Sequence, residues 1–477
     1  MTFAWAPKLP LVAVMLLALG LAACARVNID ESLAKTNQAT AEFTGGKLSL
    51  AQTAEQRAFM AQTAATLLAQ PLTQQDAVHL ALINSPAIQA MLAQHWADAA
   101  RAAQSGRIAN PLLVFERTTL AAEVEYARLL AFGLLDILTL PLRSAAAERR
   151  IEQSQVGLAI DVVERVTKVR QAWVKAVAAQ QNLAYAQQVN EVGEISAELA
   201  RRMQQAGNFN RLQRARQQAF YADAATQWAL AQQTARATRE ELVRVLGLTD
   251  AQEKDLNLPE RLPDLPEAPR SPEEVSQAAR YGRLDIQWAK AAYDAAAKES
   301  GLTLITSLTD IELGVRHDTV FDEGAGTHEN RTGYEITVRL PVFDWGDMQR
   351  DAMNAQTLAA ANRLEAAVRE AGSNLRETYA AYRTAYDVAK QYRDEVLPLR
   401  KVIAEENLLR YNGMLIGVFE LLADTRDQVN TVRAAIGAQQ DFWLAHAALQ
   451  TAIIGVPTVV EMGKQAATIS QRAEPPH

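Results

Sequence analysis

The chain has 477 residues, a net charge of −7 and 49% hydrophobic residues. This mild acidity argues against a nucleic-acid partner, which would require a basic surface. The single cysteine, Cys24, excludes an intrachain disulfide. The sequence also lacks a Gly-rich phosphate loop, a nucleophile elbow and clustered catalytic acids, so we expect no enzymatic activity and no cofactor.

The N-terminus has the pattern of a secretory signal. Lys8 precedes a short apolar run, Leu9–Leu21, and small residues lead to Cys24. This resembles a bacterial lipobox and predicts a signal peptide over 1–23 and a covalent lipid on Cys24. Ala25, in place of an aspartate, implies sorting to the outer membrane. Residues 24–71 are polar and weakly patterned, which predicts an extended N-terminal arm.

A first structural repeat is predicted over residues 72–247. Thr73 and Asp76 open a helix, and a second helix runs from 87 to 106. Strands are predicted over 111–119 and 126–140, followed at Pro141 by a helical pattern over 143–205, which would span roughly 95 Å. Gly207 ends this helix in a tight turn, and a returning helix runs from 211 to 246.

A Pro-rich linker over 248–270 separates this repeat from a second one over 271–455. Ser271 and Glu274 form a helix-opening capping box. Strands are predicted over 304–317 and 333–340, with a polar loop between them. A long helix from 347 to 411, kinked by Pro398, turns near Gly413 into a last helix over 418–454. Residues 456–477 form a C-terminal tail.

The stretch 334–346 shows how a strand passes into a long helix. Apolar and polar residues alternate from Tyr334 to Leu340, as in a strand with one apolar face. Pro341 ends the strand because it lacks an N–H, Asp344 is placed to cap the helix, and Gly346 relaxes the turn. Pro141 occupies the corresponding position in the first repeat, so Pro141, Pro341 and Gly346 are the predicted strand–helix hinges.

The duplicated pattern predicts a mainly α protein with a small β part, in which long antiparallel helical hairpins alternate with strand pairs. Four strands cannot close a barrel, and the sequence has no second apolar run long enough for a membrane-spanning helix. Any crossing of a membrane would therefore need a closed barrel to which several chains contribute strands. This favours a cyclic homo-oligomer.

The repeated strand–proline–helix unit, the lipobox, the motif Leu340–Gly346 and the sequence Arg410–Gly413 together resemble TolC-like outer-membrane efflux proteins. The resemblance covers roughly residues 72–455. It implies a homotrimer with a 12-stranded transmembrane β-barrel and an α-helical tunnel that extends into the periplasm. It further implies a passive export duct that works with a periplasmic adaptor (membrane fusion) protein and an inner-membrane pump.

The same resemblance locates the periplasmic tip, whose residues line or lock a closed aperture. Arg410 and Tyr411 match an Arg-Tyr pair of the family, and Glu420 matches its first acid. The second acid position holds Ala423, with Asp424 beside it, and Gly413 comes one position early. Across the tip, Arg211 and Arg214 follow Gly207, and with Arg216 they suggest a cross-hairpin salt bridge to Glu420 or Asp424.

Two other classes of protein are alternatives to an export channel. A coiled-coil structural lipoprotein tethered at Cys24 would not need the alternating strands. A periplasmic adaptor would have one helical hairpin between β-rich domains, whereas this chain has two hairpins. The six histidines are scattered without metal-ligand spacing, so we expect no metal site. The exported substrate, whether drug, metal ion or protein, is left open.

Overall fold

The computed structural model describes residues 28–121, 123–279, 282–322 and 324–457. The predicted signal peptide, Cys24 and most of the predicted tail lie outside these ranges. The chain divides into two compact units. The first comprises residues 28–34, Ala93–Leu158 and Ile286–Val368, and the second comprises Lys35–Leu92, Ala159–Asp285 and residues 369–457.

Helices dominate the described residues, and each half of the chain has several helices, then two strands, then a long helical hairpin. The first half contains α1 (Ile29–Thr44), α2 (Ala54–Leu68), α3 (Gln74–Asn84), α4 (Pro86–Ser105), β1 (Leu112–Leu120), β2 (Glu123–Gly133), α5 (Leu134–Leu138), α6 (Leu140–Gln205) and α7 (Arg211–Leu246). The second half contains α8 (Asp250–Asp255), α9 (Pro272–Ala278), α10 (Leu284–Thr306), β3 (Ile311–Asp322), β4 (Thr327–Val338), α11 (Asp347–Gln391), a π-helical turn (Tyr392–Val396), α12 (Leu397–Asn412) and α13 (Val418–Ile454). Among the described helices, none has an apolar stretch long enough to cross a membrane.

The N-terminal segment is helical, so the prediction of an extended arm was wrong. α1 buries Leu33, Thr36, Thr40 and Phe43, which recur at helical spacing. Threonines occupy half of this buried stripe, so its apolar periodicity is weak in the sequence. The Thr40 hydroxyl donates to the Thr36 carbonyl at 2.9 Å, which allows it to be buried within a helix.

The second predicted strand was drawn too long, because residues 134–138 and everything from 140 onward are helical. The Asp136 carboxylate lies 2.5 Å from the Arg143 guanidinium. Thr139 donates its hydroxyl to the Leu135 carbonyl at 2.7 Å. Pro141 therefore lies in the first turn of α6, where its missing N–H costs no helical hydrogen bond, and not at a strand–helix boundary.

The second hairpin of the sheet is longer than predicted, and it starts later. Residues 304–306 belong to α10, and most of the predicted polar loop over 318–332 forms strands. Polar partners across the strands explain this: the Thr319 hydroxyl donates to the Asn330 side chain at 3.0 Å. The turn itself is short, and the Asp322 carboxylate accepts the Gly324 and Ala325 amides at 2.8 and 3.0 Å.

The junction after β4 depends on Gly346, as predicted, but Asp344 acts differently. The Asp344 carboxylate accepts the Gly346 N–H at 2.8 Å in a local turn and does not cap the helix that begins at Asp347. Gly346 has a φ of +68°, and a Cβ there would lie 2.5 Å from the Ser307 carbonyl oxygen. Both the left-handed backbone and the close approach therefore require glycine.

Pro398 is accommodated by the π-helical turn and not by a simple kink. The turn spans Tyr392–Val396 and ends where α12 begins at Leu397, one residue before the proline. Because proline has no N–H and its ring collides with the carbonyl four residues earlier, the helix widens locally. The predicted long helix from 347 to 411 is thus divided into α11 and α12.

The Pro-rich segment packs as a strap on the second unit. Its residues Leu258 and Leu262 are buried. Three aromatic side chains bind its backbone: the Tyr386 hydroxyl donates to the Glu267 carbonyl at 2.9 Å, the Trp443 indole donates to the Pro263 carbonyl at 3.0 Å, and the Tyr382 hydroxyl accepts the Arg270 amide at 3.2 Å. These bonds satisfy backbone groups of the part after α8, residues 256–270, which has no regular secondary structure.

A buried polar chain crosses the core of the second unit. Arg170 donates to the Gln450 side-chain oxygen at 2.8 Å and to the Phe43 carbonyl, and its guanidinium lies 4.4 Å from the Phe43 ring. Gln450 in turn contacts His446 Nε2 at 2.9 Å. Since the Gln450 oxygen already accepts from Arg170, its amide donates to a neutral His446. Burial, with the positive charges of Arg270 and Arg170, lowers the pKa of His446 to about 4.

We expect the second unit to lose stability as the pH falls from 6.5 towards 4. The unfolded chain protonates His446 near its ordinary pKa of 6.5, whereas the folded chain does so only near 4. Between these values the unfolded state binds more protons, so the free energy of unfolding drops by up to about 1.4 kcal/mol per pH unit. Thermal midpoints measured at pH 7.5 and pH 5 should differ less in His446→Leu than in the unmodified chain. Equal differences would contradict this assignment.

Gly346→Ala should lower the thermal midpoint of the protein, because the left-handed backbone and the Ser307 carbonyl both oppose a side chain there. The expected cost is about 1–3 kcal/mol. Gly301→Ala is the matched control, since that glycine has no other atoms around its Cβ position. If the two substitutions changed the midpoint equally, the junction would not require glycine.

Candidate functional site

The sheet of the first unit has two chemically different faces. Its strands are antiparallel in the order β1-β2-β3-β4, and Leu113, Leu130, Val315 and Tyr334 are directly paired across it. These four side chains therefore lie on one face of the sheet, together with the residues two positions away along each strand. We call this face the apolar face. Towards the β3–β4 turn this face carries Arg117 and Arg128 together with aromatic contacts, the ring centroids of Tyr126 and Phe321 being 5.9 Å apart.

The opposite face, which we call the acidic face, carries most of the charge of the sheet. Its carboxylates are those of Glu116, Glu123, Glu125, Glu312, Asp318, Asp322, Glu329 and Glu335. Its two guanidinium groups belong to Arg316 and Arg331. Arg316 lies 2.8 Å from Asp318 and 3.9 Å from Glu125, and Arg331 lies 3.0 Å from Glu329. The carboxylates therefore outnumber the guanidinium groups on this face.

Both outer strands of the sheet are open to solvent in the described chain. Every residue of β1 and of β4 is exposed, and each of these strands pairs with a neighbour on one side only. The exposed side chains include large apolar groups, among them Phe115, Tyr334 and Ile336. Long, apolar and unpaired edges invite pairing with further strands.

The hairpin of α6 and α7, in the second unit, turns at Gly207 as predicted. Gly207 has a φ of +79°, and Asn208 donates its N–H to the Met203 carbonyl at 2.9 Å. Arg211 begins α7, and Arg214 donates to the Gln204 side chain across the turn at 2.9 Å. The basic side chains at this turn are exposed.

The other hairpin of this unit, of α12 and α13, turns near Gly413, but Gly413 is not its left-handed residue. Gly413 has a φ of −78°, and the positive φ of +58° falls on Met414. The Arg410 carbonyl accepts the Leu415 N–H at 2.8 Å, and the Tyr411 carbonyl accepts the Met414 N–H at 2.9 Å. The helix thus continues one residue further than a glycine stop would allow, and the Arg410 and Tyr411 side chains are exposed.

The acidic residues of this tip have a partner that the sequence reasoning missed. Arg400 on α12 lies 3.9 Å from Asp424 and 3.8 Å from Asp427 on α13, while Glu420 is exposed. The predicted partner of Asp424 was an arginine of the other hairpin. The signal for Arg400 was available, because Arg400 and the two aspartates lie at similar distances from the turn of an antiparallel hairpin.

The two hairpins do touch near their tips, through another residue that the sequence did not single out. Arg426 on α13 donates to the Arg216 carbonyl on α7 at 3.2 Å, and its guanidinium lies 5.0 Å from the Phe220 ring. This is a backbone and cation–π contact. The cross-hairpin salt bridge from Arg211, Arg214 or Arg216 to Glu420 stays a prediction.

Comparisons with known proteins support the fold. No family model and no curated sequence matches the chain. A membrane protein from Pseudomonas aeruginosa matches with a TM-score of 0.68 and 19% identity, over 80% of this chain and 93% of that one. The outer membrane protein VceC of Vibrio cholerae matches with a TM-score of 0.65 and 14% identity, over 84% and 97%. The CmeC outer membrane channel of Campylobacter jejuni matches with a TM-score of 0.64 and 14% identity, over 86% and 88%.

These identities are too low to transfer an activity, but the matches cover most of both chains. The chain therefore shares the fold of these outer-membrane proteins, which is mainly helical with one small four-stranded sheet.

Proposed function

We propose that this chain forms the outer-membrane duct of a tripartite export system and conducts its substrate passively. The observation that carries the proposal is the sheet, which has one apolar face, one acidic face and two bare edges. A sheet of four strands cannot close on itself. Three copies, each pairing its β4 with β1 of the next, would keep the antiparallel alternation and give a closed barrel of twelve strands.

In such a barrel the apolar face would contact lipid and the acidic face would line the lumen. This arrangement follows the alternation of lipid-facing and lumen-facing residues in transmembrane barrels. The aromatic residues near the β3–β4 turn, such as Phe321 and Tyr126, would then lie at a membrane interface. The excess of carboxylates on the acidic face would favour cations over anions in the lumen.

A lipid on Cys24 would anchor each chain to the outer membrane. The tips of the helical hairpins would engage a periplasmic adaptor that connects the duct to an inner-membrane pump. Energy would come from the pump. The long, exposed hairpin ends in the second unit support this proposal, since Met414 and Leu415 place apolar side chains in solvent at the turn.

If the chain forms a membrane barrel, a charge added to the lipid-facing side of a strand should reduce trimer formation more than a charge added to its lumen-facing side. Ile336→Glu puts a carboxylate on the apolar face of β4, whereas Thr337→Glu puts it on the acidic face of the same exposed strand. Because a charge facing lipid is costly, we expect Ile336→Glu to reduce the amount of detergent-extracted trimer, and Thr337→Glu to leave it unchanged.

The mass of the extracted particle, measured by size-exclusion chromatography with light scattering, should be three times that of the processed chain, which is below the 52.2 kDa of the full sequence because residues 1–23 are removed. Sucrose-gradient fractions would show whether the particle is in the outer membrane. A monomer that leaves the membrane without detergent once Cys24 is replaced by Ser would contradict the barrel and favour a tethered coiled-coil lipoprotein.

The ion pairs of Arg400 suggest that this residue holds α12 against α13 near the tip of the hairpin. Arg400→Gln removes both contacts with Asp424 and Asp427, and we expect a larger single-channel conductance in planar bilayers. Lys401→Gln is the matched control, since it removes the same charge from the next residue, whose ion partner Glu405 lies on its own helix. Equal conductance of the two variants would show that these ion pairs do not restrict the aperture.

A further inference from the structure

We propose that a cavity in the second unit, between α6, α7 and α13, binds a small organic anion carrying a carboxylate. The cavity has a volume of about 360 Å³. Polar side chains enter it from two helices, Lys175 and Asn182 from α6 and Arg433 and Gln440 from α13. This site is independent of the proposed barrel, because all its residues belong to the helices of one chain.

The two cations of the cavity lack a counter-ion among the described residues. No carboxylate lines the cavity, and neither Lys175 nor Arg433 forms an ion pair or hydrogen bond within the described part of the chain. Arg433 lies near Tyr185, whose pKa is raised by burial, so that phenol is neutral. Arg433 also lines the neighbouring groove together with Asp223 and Asp427. Asp427 faces Arg400 at 3.8 Å, and neither carboxylate forms an ion pair with Arg433 in the described part of the chain. In a chain of net charge −7, two unpaired cations in one cavity form a site for an anion.

The neutral groups of the cavity are also available to an acceptor. Asn182 and Gln440 have no hydrogen-bond partner among the described residues, so their amides can donate. Thr234 and Thr238, on α7, differ because their hydroxyls donate to the Leu230 and Thr234 carbonyls of their own helix. The available donors therefore converge from α6 and α13.

The size and walls of the cavity indicate an organic body and not a bare inorganic ion. Ala179 and Ile436 supply apolar surface beside the cations. A volume of this order suits a ring-sized molecule, and a guanidinium recognises a carboxylate through two parallel hydrogen bonds. We therefore expect an aromatic or short aliphatic carboxylate, with its charged end at Lys175 and Arg433.

The test is calorimetric titration of the full chain, purified in detergent, with 2-naphthoate and with the uncharged 2-naphthamide at constant ionic strength. We expect naphthoate to bind at least about tenfold more tightly than the amide. Lys175→Gln and Arg433→Gln should each remove about tenfold of that affinity. Lys168→Gln is the matched control, because Lys168 is an exposed cation on the same helix outside the cavity.

The comparison of the two ligands needs no variant, so it stands even where Arg433→Gln fails to fold. Absence of naphthoate binding, equal affinity for acid and amide, or an equal loss in Lys168→Gln would each overturn the proposal. The proposal would also be overturned if the unmodified chain bound no naphthoate and Lys175→Gln had a lower oligomer mass. That result would mean that the cations pair with a carboxylate of a second copy.

Discussion

Backbone hydrogen bonding at the two edges of the sheet is the constraint on which the structure depends. β1 and β4 expose a row of N–H and C=O groups and large apolar side chains, and a strand that pairs on one side only is open to further association. The register also gathers the carboxylates of the strands onto one face. The described part of the single chain thus leaves the backbone groups at both edges of its sheet unpaired. A strand that pairs with them must also continue the apolar face and the acidic face.

The helical unit solves the opposite problem, that of placing polar groups in an interior. Arg170, Gln450 and His446 are joined by hydrogen bonds in a chain, and Arg170 also donates to the Phe43 carbonyl of the N-terminal helix, whereas His446 Nδ1 is buried without a hydrogen-bond partner among the described residues. The tyrosines and Trp443 bind the backbone of the Pro-rich strap. Burial of these polar groups is tolerated because each hydrogen bond replaces one lost to water. The cavity at Lys175 and Arg433 differs, because these two cations have no ion pair or hydrogen bond among the described residues. Their missing partners are the basis for the proposed anion site.

Several failures of the sequence reasoning share one physical cause, namely that polar residues find partners distant in the sequence. The threonines of α1 hid a buried helical stripe, and the polar residues of β3 and β4 pair across strands where a loop was predicted. Arg400 was missed for the same reason, since its carboxylates are on the next helix. The hairpin does turn near Gly413, but the positive φ falls on Met414.

The sequence by itself determined the class of fold, the duplication, the long hairpins and the turn at Gly207, because apolar periodicity and glycine or proline positions act locally. The sequence also located the bounds of α7, the capping box at Ser271 and the glycine that the junction requires at position 346. Only the tertiary structure decided the pairing of the strands, the gathering of their carboxylates onto one face of the sheet and the unpaired cations of the cavity. Each of these depends on which distant residues meet, and no local pattern encodes that.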